Sequence, residues 1–206
     1  MAESHQIVSV LSGFPRKLTW ANFRVVARSP SPPLQALTSS SYHMGSWRVA
    51  LEGAAYHVRD FHITVSLAAV SWVTQAARTN TALLIHEQGH YDITGLIARD
   101  LARSLVDLEL DAAVVSASKD AGVNQAQHLH FAQKELQKSV DEYGRQAAGL
   151  LAKLQSNPAT RTDGIYDQQT NHGLNQTSQN NWNNRLAHVK QANESFRLSL
   201  AMAGVL

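Results

Sequence analysis

The chain has 206 residues, of which 44% are hydrophobic and 17% are charged. These values are typical of one globular domain with a proper core, and they exclude an intrinsically disordered chain. The net charge is only +2 and the sequence contains no cysteine, so disulfides and thiolate metal ligands are excluded.

The same composition limits the partners and the location that we expect. Up to Asn80 there are seven Lys and Arg against three Asp and Glu, and the remainder has eleven against thirteen, without any basic run. We therefore expect no nucleic-acid partner. No stretch approaches a membrane-spanning length, and Met1 to Leu11 lacks the basic start of a signal peptide. We expect a soluble protein without membrane insertion, either cytoplasmic or secreted with its signal removed; its oligomeric state stays open.

Residues 1–80 carry strand and loop patterns. Trp47, Val49 and Leu51 alternate with small or polar residues, and a second alternating run extends from Tyr56 to Leu67. The second run, from Val58 to Leu67, is a candidate sheet edge for holding an extended peptide.

Residues 81–206 are predicted to be mainly helical. The first helix begins after the capping residues Thr79 to Thr81 and continues to about Ala117, with a break near Asp107 to Asp111. A second helix starts near Gly122 and ends at Asn157-Pro158. The polar range 159–181 is predicted to be an active-site loop, and Trp182 to Leu200 a packing helix.

The central motif is His86-Glu87-Gln88-Gly89-His90 on the first of these helices. Histidines at positions i and i+4 lie one turn apart on the same face, so both can bind one metal ion. Glu87 lies about 100° round the helix and can reach a water on that ion. This HExxH arrangement is typical of zinc peptidases, in which the metal acidifies water and the glutamate accepts the proton.

A catalytic zinc ion normally has three protein ligands, so one must come from elsewhere in the chain. We predict His172, because Gly173 beside it allows the backbone to approach the helix closely and imidazole is a common zinc ligand. Asp167 is the alternative, either as the ligand itself or as a group that orients His172. Asp92 is a further candidate for holding an imidazole N–H group.

The chain resembles a bacterial domain family of unknown function whose members are predicted zinc-dependent proteases. The resemblance covers Leu18 to about Leu186 and lies in the segments Leu18 to Phe23, Ser71 to Val73, Leu83 to Ile93, and Tyr166-Asp167-x-x-Thr170-x-His172-Gly173 followed by Gln179 and Trp182. It implies zinc ligands at His86 and His90, a catalytic Glu87 and a functional role for His172.

Together these observations predict one α+β, zincin-like metallopeptidase domain over residues 1–206. Its β-rich N-terminal part precedes a helical part that carries the site. The expected function is zinc-dependent hydrolysis of a peptide or protein substrate, with Glu87 as general base and Tyr166 as a donor to the oxyanion. Two alternatives remain open: a metal hydrolase of a non-peptide amide, and a non-catalytic binding module stabilised by zinc.

Overall fold

The structure is a computed structural model that describes residues 10–117, 124–155 and 162–206. Nine short strands lie within these ranges: β1 (Leu11–Ser12), β2 (Arg24–Val26), β3 (Ala36–Leu37), β4 (Ser40–Met44), β5 (Arg48–Glu52), β6 (Ala55–Arg59), β7 (Ile63–Leu67), β8 (Trp72–Thr74) and β9 (Glu109–Asp111). Two single-turn 3₁₀ helices cover Trp20–Asn22 and Gln75–Ala77.

Six α-helices follow the strand-rich part of the described chain: α1 (Thr81–Val106), α2 (Ala112–Ala117), α3 (Gln125–Leu154), α4 (Ile165–Thr170), α5 (Gln176–Ala192) and α6 (Phe196–Met202). The predicted α+β class, with strands first and helices after them, is therefore confirmed. The predicted break near Asp107 to Asp111 is also confirmed, and it contains strand β9. In the described residues, no helix combines the length and apolarity needed to cross a membrane.

The strands form three sheets of three strands each, with the orders β1-β7-β4, β2-β8-β3 and β5-β6-β9. Strand β7 pairs in parallel with β1 and antiparallel with β4, so it is the central strand of its sheet. The alternating run Tyr56 to Leu67 is divided between β6 and β7 by Asp60, which has a φ of 59°. The prediction that Val58 to Leu67 is a sheet edge is therefore wrong, because both strands have neighbours on each side.

The edge nearest the motif helix is instead formed by β3 and β4. Ser39 O accepts a hydrogen bond from Ala68 N, and Gly45 N donates to His62 O. Successive residues of a strand direct their backbone N–H and C=O groups to opposite sides. These two bonds therefore show that the backbone groups of the odd-numbered residues of β4 face β7. The backbone groups of the even-numbered residues face away from β7.

The same alternation continues through β3, where Thr74 N donates to Gln35 O. Within the described ranges, no strand pairs with the outer side of β3 or β4, and we call this side, from Ala36 to Met44, the open edge. Thr38 and Ser40 lie on this segment and fasten it to α1. The Thr38 hydroxyl donates to Glu87 O at 3.2 Å, and the Ser40 and Thr94 hydroxyls are 2.7 Å apart.

Helix α1 is the central element, because sheets and helices cover it on several sides. Its first turn is capped by Asn80, whose side chain accepts a hydrogen bond from Leu83 N. From His86 onward most of its side chains are buried, including Leu96 and Leu105 at 0% exposure. The helix packs against β4, β7, α3, α5 and α6. The motif residues therefore lie on a rigid support.

The range 159–181 is not the continuous loop that the sequence predicted. It contains α4 and the beginning of α5, while residues 156–161, including the predicted helix end at Asn157-Pro158, lie outside the described residues. Helix α4 ends at a left-handed turn in which Asn171, His172 and Gly173 all have positive φ. The predicted helix from Trp182 to Leu200 is likewise two helices, α5 and α6, separated at the left-handed Asn193.

Gly95→Ala is expected to destabilise the protein, although alanine is the better helix former. A Cβ at residue 95 would lie 2.0 Å from the ring of Phe14, so the packed core would have to shift. We expect the free energy of unfolding to fall by about 1–3 kcal/mol in urea titrations. Gly149→Ala in α3 is the matched control, because a Cβ there meets no atom within 4 Å, and it should stabilise by up to about 1 kcal/mol. Equal effects of the two substitutions would contradict this packing.

Candidate metal centre

His86 and His90 lie on the same buried face of α1, as the sequence predicted. Their exposed fractions are 2% and 7%, and their ring centroids are 4.9 Å apart. The Nε2 atoms of both rings are directed at one residue of α4, Asp167. Two elements far apart in the sequence thus meet at one point.

Asp167 lies in the first turn of α4 and is 3% exposed. Its Oδ1 atom is 3.0 Å from His86 Nε2 and 3.1 Å from His90 Nε2. The three residues each offer one ligand atom, and these atoms all lie within 4.8 Å of one another. A tetrahedral ion with bonds of about 2.1 Å holds its ligand atoms about 3.4 Å apart, so an ion requires separations only slightly larger than those observed.

The charges around Asp167 are those of a cation site. Burial by itself raises the pKa of the Asp167 carboxyl, but the charge of His90 and the polar contacts with His172, His86 and His90 outweigh burial and hold the pKa well below its usual range. The carboxylate is therefore ionised. Burial lowers the pKa of His90, yet Asp167 and Glu87 more than reverse this, so the pKa is raised. Two imidazoles and one carboxylate form a donor set that suits zinc.

Glu87 contributes a second carboxylate to this region. It is 3% exposed, and within the described chain its Oε2 atom has no hydrogen-bond partner. A buried carboxylate oxygen without a donor is costly, so such an atom in a native fold points to a missing ligand, ion or water. A metal ion with its water beside Glu87 would satisfy the oxygen, and this is the observation by which the residues fit a metal.

His172 also reaches Asp167, but it is more exposed than the other two histidines. Its side chain is 35% exposed; Nδ1 lies 3.5 Å from Asp167 Oδ1 and Nε2 lies 3.3 Å from Asp163 Oδ2. Its hydrogen bond with Asp167 is the main cause of its raised pKa. The group of three close ligand atoms contains Asp167 and not His172, so His172 as a zinc ligand stays a prediction that this geometry does not favour.

Tyr166 is fully buried and packs against the motif helix. Its ring stacks on His86 at a centroid distance of 4.9 Å, and its hydroxyl donates to the carbonyl oxygen of His86 at 3.1 Å. The hydroxyl crosses Gly89 so closely that a Cβ there would lie 2.0 Å from it. Burial raises the pKa of the Tyr166 phenol well above its usual range. Since the hydroxyl hydrogen is donated to His86 O, Tyr166 is better placed to position His86 than to donate to an oxyanion.

Two contacts of the centre were not anticipated. His86 Nδ1 lies 3.0 Å from the side-chain oxygen of Gln179 on α5, whereas Asp92, the expected partner for an imidazole, binds Lys190 at 2.6 Å. Asp163 beside His172 was also missed. Gln179 belongs to the family-like segment after His172, which was the available signal; nothing in the sequence singles out Asp163.

No protein-family model, curated protein or solved structure matches this chain. What is shown of the site therefore comes from the chain itself: a buried His86, His90 and Asp167 group that could bind a metal ion.

Proposed function

We propose that the protein is a zinc-dependent metallopeptidase. The observation that carries this proposal is the convergence of His86, His90 and Asp167 on one buried point, together with a buried carboxylate oxygen of the neighbouring Glu87 that has no partner among the described residues. The first three residues supply a metal with ligands, and the fourth supplies a base. A purely structural zinc site has four protein ligands and needs no adjacent base.

In this proposal the zinc ligands are His86 Nε2, His90 Nε2 and an oxygen of Asp167. His172 then supports the Asp167 carboxylate from the solvent side, where Asp163 holds its other ring nitrogen. Three protein ligands leave a coordination position for water or substrate, as catalytic zinc requires. A zinc ion held here would supply Lewis acidity, which polarises a substrate carbonyl and makes water a stronger acid.

Glu87 performs the proton transfers. Its Oε2 atom accepts a proton from the attacking water and then delivers the proton to the departing amine nitrogen. Burial prepares the group for this role, because no described donor competes for Oε2. The hydrogen bond from Thr38 to the backbone oxygen of Glu87 holds this part of α1 beside the open edge.

The open edge supports a peptide as the substrate over a small non-peptide amide. It extends from Ala36 to Met44, and Thr38, the third residue of this range, contacts the helix at Glu87. An extended peptide adds to such an edge through its own backbone N–H and C=O groups. The bond to be cleaved would thereby be held near the base.

Glu87→Gln is expected to abolish peptide hydrolysis while zinc still binds. The amide has nearly the same shape but cannot accept the proton, so we expect a loss of at least about 10²-fold in kcat. Zinc content and kcat are measured on the same preparation, with Glu109→Gln on the exposed strand β9 as the control. Undiminished turnover in Glu87→Gln would contradict the mechanism. A wild-type protein that gains stability from zinc without any turnover would identify the metal as structural.

Asp167→Ala is expected to weaken zinc binding by orders of magnitude, because it removes one of three ligands. His172→Ala should cost only about 10–100-fold, the usual effect of losing a group that holds a ligand in place. Asp163→Ala, which removes the other partner of His172, should cost less again. Competition titration with a zinc chelator measures all three. Retained affinity in Asp167→Ala together with its loss in His172→Ala would assign the third ligand to His172.

Backbone recognition at the open edge predicts a pattern in the substrate. Only alternate residues of an added strand bond to the edge, so N-methylation of successive substrate amides should lower kcat/KM at every second position. Peptides in which one amide at a time is methylated, assayed at fixed zinc, provide the measurement. Effects without this period of two would mean that the edge does not hold the substrate.

A further inference from the structure

Gln179 of α5 touches the metal centre without being able to bind zinc in the arrangement observed. We infer that Gln179 is a positioning residue that keeps the ring proton of His86 on Nδ1 and thereby leaves the Nε2 lone pair for the metal. This inference rests on the proposed zinc site and adds the group that prepares one of its ligands. A histidine ligand binds through one nitrogen, and the hydrogen bond at the other nitrogen decides which one.

The contacts of Gln179 determine the orientation of its amide. The residue is 1% exposed; its oxygen lies 3.0 Å from His86 Nδ1, and its nitrogen lies 2.8 Å from the Tyr166 hydroxyl and 2.9 Å from Asn183 Oδ1. The two hydrogens of the amide nitrogen are thus both used. The remaining atom, the oxygen, faces His86 and can only accept.

The reversed amide is inconsistent with the neighbouring bonds. Its oxygen would then face the Tyr166 hydroxyl, whose hydrogen is already donated to His86 O, and also Asn183 Oδ1. Both contacts would place two acceptors against each other without a hydrogen. Thr170 supports the same assignment: its hydroxyl lies 3.5 Å from His86 Nδ1, but its hydrogen goes to Tyr166 O, so it presents only lone pairs to the ring.

The consequence appears on the opposite side of the ring. With its proton on Nδ1, neutral His86 directs a bare Nε2 lone pair at Asp167 Oδ1, 3.0 Å away. Two acceptors at this distance repel each other unless a cation lies between them. By holding the ring proton on Nδ1, Gln179 leaves Nε2 without a proton. A metal ion bound by Nε2 and Asp167 Oδ1 would then remove the repulsion between these two atoms.

Two substitutions at Gln179 test this role. Gln179→Leu removes the acceptor with little change in size, and we expect zinc affinity to fall about 10–100-fold. Gln179→Glu keeps an acceptor for Nδ1 but places an oxygen against the Tyr166 hydroxyl and Asn183 Oδ1, so it should lose less zinc affinity than Gln179→Leu without reaching that of the wild-type protein. Gln176→Leu is the matched control, because Gln176 lies about one turn earlier on α5 and, among the described residues, its side chain bonds the exposed Asn180 alone. Nitrogen-15 NMR of the zinc-loaded protein provides the readout independent of activity: the proton of His86 should reside on Nδ1.

The outcomes distinguish the role of Gln179 from the existence of the zinc site. Unchanged zinc affinity in Gln179→Leu, or a His86 that carries its proton on Nε2 and binds zinc through Nδ1, overturns the role of Gln179 but leaves the metal centre intact. A wild-type protein that binds no zinc overturns the centre itself. If Gln179→Leu does not fold, nitrogen-15 NMR of the zinc-loaded wild-type protein decides alone, since a His86 ring proton on Nε2 contradicts the inference.

Discussion

The ionised, buried carboxylate of Asp167 is the constraint on which the rest of the site depends. Taking such a charge out of water costs several kcal/mol, about as much as a large part of a domain's net stability. The two imidazoles that surround Oδ1 offset that cost only when a positive charge is present among them. The fold therefore brings the Asp167 carboxylate and the two imidazole rings together in an arrangement that a cation between them would stabilise.

This constraint also explains why a helix as short as α4 is ordered. A helix of six residues has almost no stability of its own. Three of its side chains are buried: Tyr166, Asp167 and Thr170. The Tyr166 hydroxyl donates to His86 O, and the Thr170 hydroxyl lies 3.5 Å from His86 Nδ1. Asp167 contacts both motif histidines. The local structure of the C-terminal half and the metal centre are thus parts of one set of contacts.

The sequence predicted those parts of the structure that depend on local spacing. The burial of His86 and His90 follows from the helical period, and the interruption near Asp107 to Asp111 from polar residues within an otherwise apolar pattern. Strand pairing was not predictable in the same way. β1 pairs with β7 and β2 with β8, so the paired strands lie about fifty residues apart in the sequence. Local sequence patterns do not show which distant strands pair. The zincin-like character of the fold remains a prediction.

The sequence favoured His172 over Asp167 as the third ligand, whereas the group of close ligand atoms contains Asp167. The two residues are five positions apart, and which of them faces the histidines depends on the left-handed turn from Asn171 to Gly173. Asn and His are enriched in left-handed backbone, but a run of three such residues is uncommon and was not expected from the sequence. Gln179 was overlooked as a participant because its amide does not titrate and does not belong to the usual zinc ligands.

The open edge has a consequence for how selectivity can evolve. Main-chain groups are the same in every peptide, so an edge that bonds to them gives affinity for extended chains of any sequence. Discrimination then resides entirely in side chains that surround the edge, and these can change without disturbing α1 or the ligands it carries. In the proposed peptidase, catalysis and substrate choice would thereby reside in different parts of the chain, and a new substrate specificity would require only changes of surface side chains around the edge.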